Sequence, residues 1–124
     1  MLRRGSERRR FVRVHDDGIA SVVRIGNDSR RDGRTLNFSA GGVLLLQPER
    51  IEAGTDIRVT LRLADSDERV TFDARVIRVR TLSDRAHEIA AEFVGGSAED
   101  QRRLRDTIAE RVAPPPEPLR PVSA

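Results

Sequence analysis

The sequence has no cysteine, tryptophan, tyrosine or lysine. Lack of cysteine excludes disulfides, thiolate nucleophiles and Cys-ligated metal sites. With only four Phe as aromatics, the chain offers few platforms on which nucleobases could stack. In place of lysine the sequence uses arginine throughout, and the planar guanidinium fork binds a phosphate or a guanine edge bidentately. Long hydrophobic runs are missing too: nothing approaches the roughly 18 consecutive apolar residues of a membrane span. The basic N-terminus is not followed by an apolar stretch, so it does not read as a secretory signal, and a cytoplasmic location is the default expectation. Proline is nearly confined to the end, with five of six in residues 113–124.

What the chain does have is charge gathered in one place. Its 124 residues are 37% hydrophobic and 35% charged, enough for the modest core of one domain and too few for two. Arg3, Arg4, Arg8, Arg9, Arg10 and Arg13 crowd the first thirteen residues against a single acid, Glu7, while the other 111 residues hold 17 arginines against 19 acids. The net charge of +3 is therefore an effect of the arm. Residues 1–10 read as a flexible Arg-rich arm, and 113–124 (APPPEPLRPVSA) as a Pro-rich disordered tail.

Between these ends the periodicity is that of strands. Ile19–Ile25 is β-branched and stops at Gly26-Asn27; Arg34–Phe38 is short; Gly42–Leu46 is apolar throughout. Ile57, Val59, Leu61 and Leu63 alternate with polar residues, as do Val70, Phe72, Ala74 and Val76. The phase then slips, since Ile77 and Val79 are apolar, which predicts a β-bulge or bend at Val76–Ile77. Ile89, Ala91 and Phe93 give a last strand. Six short strands suggest a small closed barrel. After them Ser97 is a helix cap, and Leu104, Ile108 and Val112 form one apolar stripe that would close an end of the barrel.

Two segments carry recognition chemistry. In Arg8-Arg9-Arg10-Phe11-Val12-Arg13 an extended chain points Arg9 and Arg13 the same way, about 13 Å apart. Such forks suit phosphates or the O6 and N7 of guanine. A solvated basic tail without a specific ligand is the plain alternative. Asn37-Phe38-Ser39-Ala40-Gly41-Gly42 offers an amide, a hydroxyl and two glycines that permit positive φ and close backbone approach to a ligand. Alone, it is equally a hairpin turn.

Together the two segments resemble the paired motifs of the PilZ domain, the bacterial receptor module for cyclic di-GMP. Arg9 and Arg13 match Arg-x-x-x-Arg; Asn37, Ser39 and Gly42 match (Asp/Asn)-x-Ser-x-x-Gly. The likeness covers about residues 7–112 and implies a mainly β protein: a six-stranded antiparallel PilZ-type barrel, a C-terminal helix and the basic arm. It implies that the arm clamps the dinucleotide against the second motif. Arg9 and Arg13 would meet phosphates and guanine Hoogsteen edges, Asn37 a guanine edge in place of the commoner Asp, and Ser39 and Gly42 would form the floor. Arg8, directly before the first motif, goes in the family with an intercalated ligand dimer. The aromatic residue that some relatives place near the bend is missing here, or its stacking role falls to Arg78 or Arg80.

Nothing else in the sequence suggests chemistry. His15 and His87 read as surface or barrel-edge residues, no carboxylate pattern makes either a metal site, and Asp16-Asp17 reads as a turn. With no nucleophile–base pair and no P-loop, neither catalytic residues nor a cofactor are expected. The expected function is a cyclic di-GMP receptor that signals by rearrangement to a protein partner the sequence does not name. A PilZ-like adaptor without nucleotide is one alternative, opposed by the presence of all five motif residues. A nucleic-acid-binding barrel is another, opposed by the scarcity of aromatics.

Overall fold

The computed structural model describes residues 12–27, 29–63 and 67–112. The expectations for the arm (1–10) and tail (113–124), and with them Arg8 and Arg9, lie outside the described residues. The strands are β1 (Val14–His15), β2 (Ile19–Arg24), β3 (Arg30–Phe38), β4 (Gly42–Gln47), β5 (Asp56–Arg62), β6 (Arg69–Ser83) and β7 (Ala86–Gly96), followed by helix α1 (Ala98–Val112).

Six strands, β3-β2-β5-β6-β7-β4, close into an antiparallel barrel through the β3–β4 pairing. The seventh, β1, adds Val14↔Phe38 and His15↔Asn37 to the end of β3 beyond β2. Alternation explains the regular part. Ile57, Val59 and Leu61 of β5, and Val70, Phe72, Ala74 and Val76 of β6, are all buried in the core. The two strands pair without interruption from Asp56↔Arg75 to Arg62↔Arg69. Outside, Arg58 meets Asp73 and Arg75 meets Asp56, each at 2.9 Å, and Thr60 and Thr71 share a 3.0 Å hydrogen bond.

The irregularities lie elsewhere. The β6–β7 register shifts between Val76 and Arg78, leaving Ile77 as the extra residue, where the slipped phase predicts a bulge. A second shift, between Thr35 and Asn37, leaves Leu36 extra in β3. A third leaves Val94 of β7 unmatched between Phe93 and Gly95.

β3 is longer than the short strand expected at Arg34–Phe38. Its first four residues, Arg30 to Gly33, pair with Val23 to Ala20 of β2, but three of them are exposed charged residues, so no apolar alternation marks them. The helix begins as expected: the Ser97 hydroxyl accepts the Asp100 N–H at 3.0 Å. The Asp100 carboxylate in turn accepts the Thr71 N–H at 2.9 Å, fastening the helix start to β6. Leu104 is buried and Ile108 packs on the core, but Val112 is 47% exposed. The inward stripe therefore ends not on Val112 but on Arg111, seven residues or about two turns from Leu104.

Candidate functional site

The hairpin joining β3 to β4 is built by its own polar groups. Ser39 N–H donates to the Gly42 carbonyl at 2.9 Å, and the Ser39 hydroxyl accepts the Gly41 N–H at 3.1 Å. The Gly41 carbonyl accepts the Phe93 N–H of β7 at 2.9 Å. Ser39 is 3% exposed, so its first task is to shape this turn.

Gly42 answers to close packing. A Cβ there would stand 2.4 Å from the Ala91 carbonyl oxygen and 3.3 Å from the Glu92 Cα. The positive φ that the sequence permitted at Gly41 and Gly42 is not used; among the described residues only Gly26 and Gly54 have it. At Gly42 the close approach, expected toward a ligand, is made instead to the neighbouring strand.

Asn37 stands beside the Leu36 bulge, half-buried. Its Oδ1 accepts a hydrogen bond from Arg13 Nη1 at 2.6 Å. The β1–β3 ladder makes this contact available, since His15 lies opposite Asn37. The last arginine of the first motif and the first residue of the second thus meet across 24 positions of sequence. A shallow groove next to them is lined by Arg13, Ser39, Gly42, the bulged Ile77, Ala90 and Glu92, with others. It joins Arg13, Ser39 and Gly42 on one surface; Arg8 and Arg9 lie outside the described residues.

Register also separates the two arginines considered for stacking. Asn37 lies opposite Leu44, Leu44 opposite Ala90, and Ala90 opposite Arg78. Opposed residues share a face, so Arg78 is exposed on the same outer row as Asn37, three strands away, roughly 14 Å at the usual strand spacing. Arg80 belongs to the next row, where it faces Glu88 at 3.7 Å.

Of the histidines, His15 is exposed on β1. His87 is buried at 7% exposure, its Nδ1 bonded to Thr81 Oγ1 at 2.9 Å. No cluster of three or more metal-ligating side chains occurs among the described residues, and no helix there is long and apolar enough to cross a membrane.

Sequence reasoning missed Asp16 and Arg111. Asp16, expected as part of a turn, does cap one: its Oδ2 accepts the Gly18 N–H at 2.8 Å. Its other oxygen, Oδ1, accepts from Arg111 Nη1 at 2.8 Å. The available signal was an arginine seven residues after Leu104, on the stripe's own face.

The PilZ domain family model matches residues 7–110. No curated protein matches the sequence. Among solved structures, the Bacillus subtilis inhibitor of motility MotI/DgrA is 19% identical with a TM-score of 0.70, covering 89% of this chain and 51% of its own. The PilZ domain of Escherichia coli YcgR with c-di-GMP is 17% identical with a TM-score of 0.65, covering 84% of this chain and 91% of its own. The K. pneumonia MrkH–c-di-GMP complex is 22% identical with a TM-score of 0.65, covering 89% and 52%. The chain spans about half the length of MotI/DgrA and of MrkH.

Proposed function

The chain belongs to the PilZ domain family, and from that membership and the geometry around Asn37 we propose that it is a receptor for cyclic di-GMP. The observation that carries the reading is the 2.6 Å bond from Arg13 to Asn37, which sets the ends of the two motifs side by side. Arg9 and Arg13 are the forks for phosphate and guanine edges, Asn37 takes a guanine edge, and Ser39 and Gly42 form the floor. Arg8 adds a third fork, and with it the ligand binds as an intercalated dimer. Arg78, on the row of Asn37, takes the stacking role in preference to Arg80. YcgR and MrkH, both solved with c-di-GMP, support the ligand class.

Magnitudes agree with this assignment. Micromolar affinity needs about 8 kcal/mol, and hydrogen bonds to charged groups contribute about 1.5–3 kcal/mol each. Two or three arginine contacts supply much of that, less the entropy of ordering the arm. Arg9→Ala or Arg13→Ala therefore weakens binding by at least about tenfold. Calorimetric titration of the wild-type chain with cyclic di-GMP is the test. Two ligands per chain support the role of Arg8, one ligand removes it, and no heat with folded protein removes the receptor reading.

Ligand-induced rearrangement passes the signal to a protein partner. DNA is a second reading of the partner: MrkH, a c-di-GMP-dependent transcription regulatory factor, has the same fold, so few aromatics alone do not set DNA aside. A salt-dependent oligonucleotide affinity that cyclic di-GMP alters would favour it.

A further inference from the structure

Arg111 lies in the last turn of α1, 96 residues from the strand it holds. Its Nη1 donates to the His15 carbonyl at 3.0 Å and to Asp16 Oδ1 at 2.8 Å. Its guanidinium carbon stands 5.6 Å from the centroid of the Phe38 ring, a cation–π distance. The Asp16 carboxylate is 1% exposed and the Arg111 side chain 19%, the most enclosed ion pair among the described residues.

Two of these three partners of Arg111 adjoin the candidate site directly. His15 is two residues from Arg13 and lies opposite Asn37. Phe38 lies between Asn37 and Ser39. The β1–β3 ladder is only two residues long, and so short a pairing is marginal by itself. The Asp16 N–H adds one bond to the Leu36 carbonyl at 3.1 Å, and Val14 adds a buried side chain. Arg111 adds the contacts that reach both segments from outside the sheet.

We infer that Arg111 is a positioning residue for the nucleotide site: it clamps the root of the arm to β3 so that Arg13 is held against Asn37. This rests on the cyclic di-GMP reading and extends it to the far end of the helix. Coupling is reciprocal. Ligand gripping Arg13 and Asn37 must tighten the last turn of α1, and loosening that turn must weaken the ligand. The end of α1 is then the place where occupancy becomes visible to a partner.

Removing Arg111 alone strands a buried carboxylate, and that variant can fail to fold for this reason. The test therefore uses full-length Arg111→Gln/Asp16→Asn, which removes both charges together, with Arg111→Lys as the conservative variant. In the absence of ligand, protection of the residue-16 amide, taken relative to the intrinsic rate of the side chain present, should fall by about tenfold or more in the double variant, while amides of the β2–β5 ladder keep their rates. Cyclic di-GMP affinity should fall by about 5- to 50-fold, with part of it regained in Arg111→Lys. In wild type the ligand should slow exchange at Ile108–Val112, and Arg13→Ala should abolish that slowing. Unchanged protection of the residue-16 amide in the folded double variant overturns the clamp whether or not the ligand binds. Unchanged affinity there, or a last turn indifferent to bound ligand, overturns the coupling. Wild type that binds no cyclic di-GMP sinks the receptor reading, while protection of the residue-16 amide still judges the clamp.

Discussion

The β5–β6 face and the β3–β4–β7 face belong to one barrel and follow different rules. On the first, seven residue pairs succeed one another without a shift, every second side chain is in the core, and the outer side is a lattice of Arg–Asp pairs and one Thr–Thr bond. On the second and along its seam with β6, Leu36 of β3 and Ile77 of β6 are extra residues, a glycine lets one strand press on the next, and an amide meets an arginine from outside the barrel. Regular pairing supplies stability. The departures from it re-aim side chains, as bulges do beside binding sites, and the second motif stands among them.

The contrast can be tested by substitution, beginning with the core both faces share. Phe72 stacks on Phe93 at 4.3 Å between ring centroids and is 3% exposed. Phe72→Ala should cost about 3–5 kcal/mol, measured as a shift of the denaturant midpoint. Next comes the tight spot of the irregular face. Gly42→Ala forces β4 away from Ala91 and should cost about 1–3 kcal/mol, with loss of cyclic di-GMP binding in calorimetry. A Gly42→Ala protein as stable as wild type would mean that the two faces do not differ in tolerance. On the regular face, a double-mutant cycle of Arg58→Ala and Asp73→Ala should return only about 0.2–1 kcal/mol, because both side chains are about half exposed.

The smallest effect belongs to Glu52. The hydrogen bond and the charge of Arg50 hold its carboxyl below the usual carboxylate value. A lowered folded pKa stabilises above the unfolded pKa, and that contribution is lost as pH falls through the folded value. Glu52→Gln should therefore match wild type in strongly acidic solution and be slightly less stable near neutrality, as read from thermal midpoints at the two pH values.

How far the sequence disclosed this arrangement differs between the faces. β5 and β6 were legible residue by residue because each has one wet and one dry side. The Ile77 bulge was legible because a buried strand cannot change phase without an extra residue. The Leu36 bulge was not, since Leu36 and Phe38 keep the parity of an ordinary strand although Thr35 and Phe38 are the buried pair. Asn37, Ser39 and Gly42 could be read as a motif from their spacing, but the packing need at Gly42 depends on β7, about fifty residues further on. The Arg111–Asp16 pair was hidden for a similar reason: contacts between distant segments leave no local period.

The paired charges on the β5–β6 face also shape how an anion finds the protein. Arg58, Arg62 and Arg75 each have an acidic oxygen within 3.1 Å, so from a distance they cancel. Beyond the Debye length of about 8 Å at physiological salt, that side presents almost no field, whereas the first thirteen residues carry six arginines against one acid. A dianionic molecule diffusing past is drawn to the first thirteen residues and not to the β5–β6 face. Its rate of capture, more than its residence time, should fall as salt is raised.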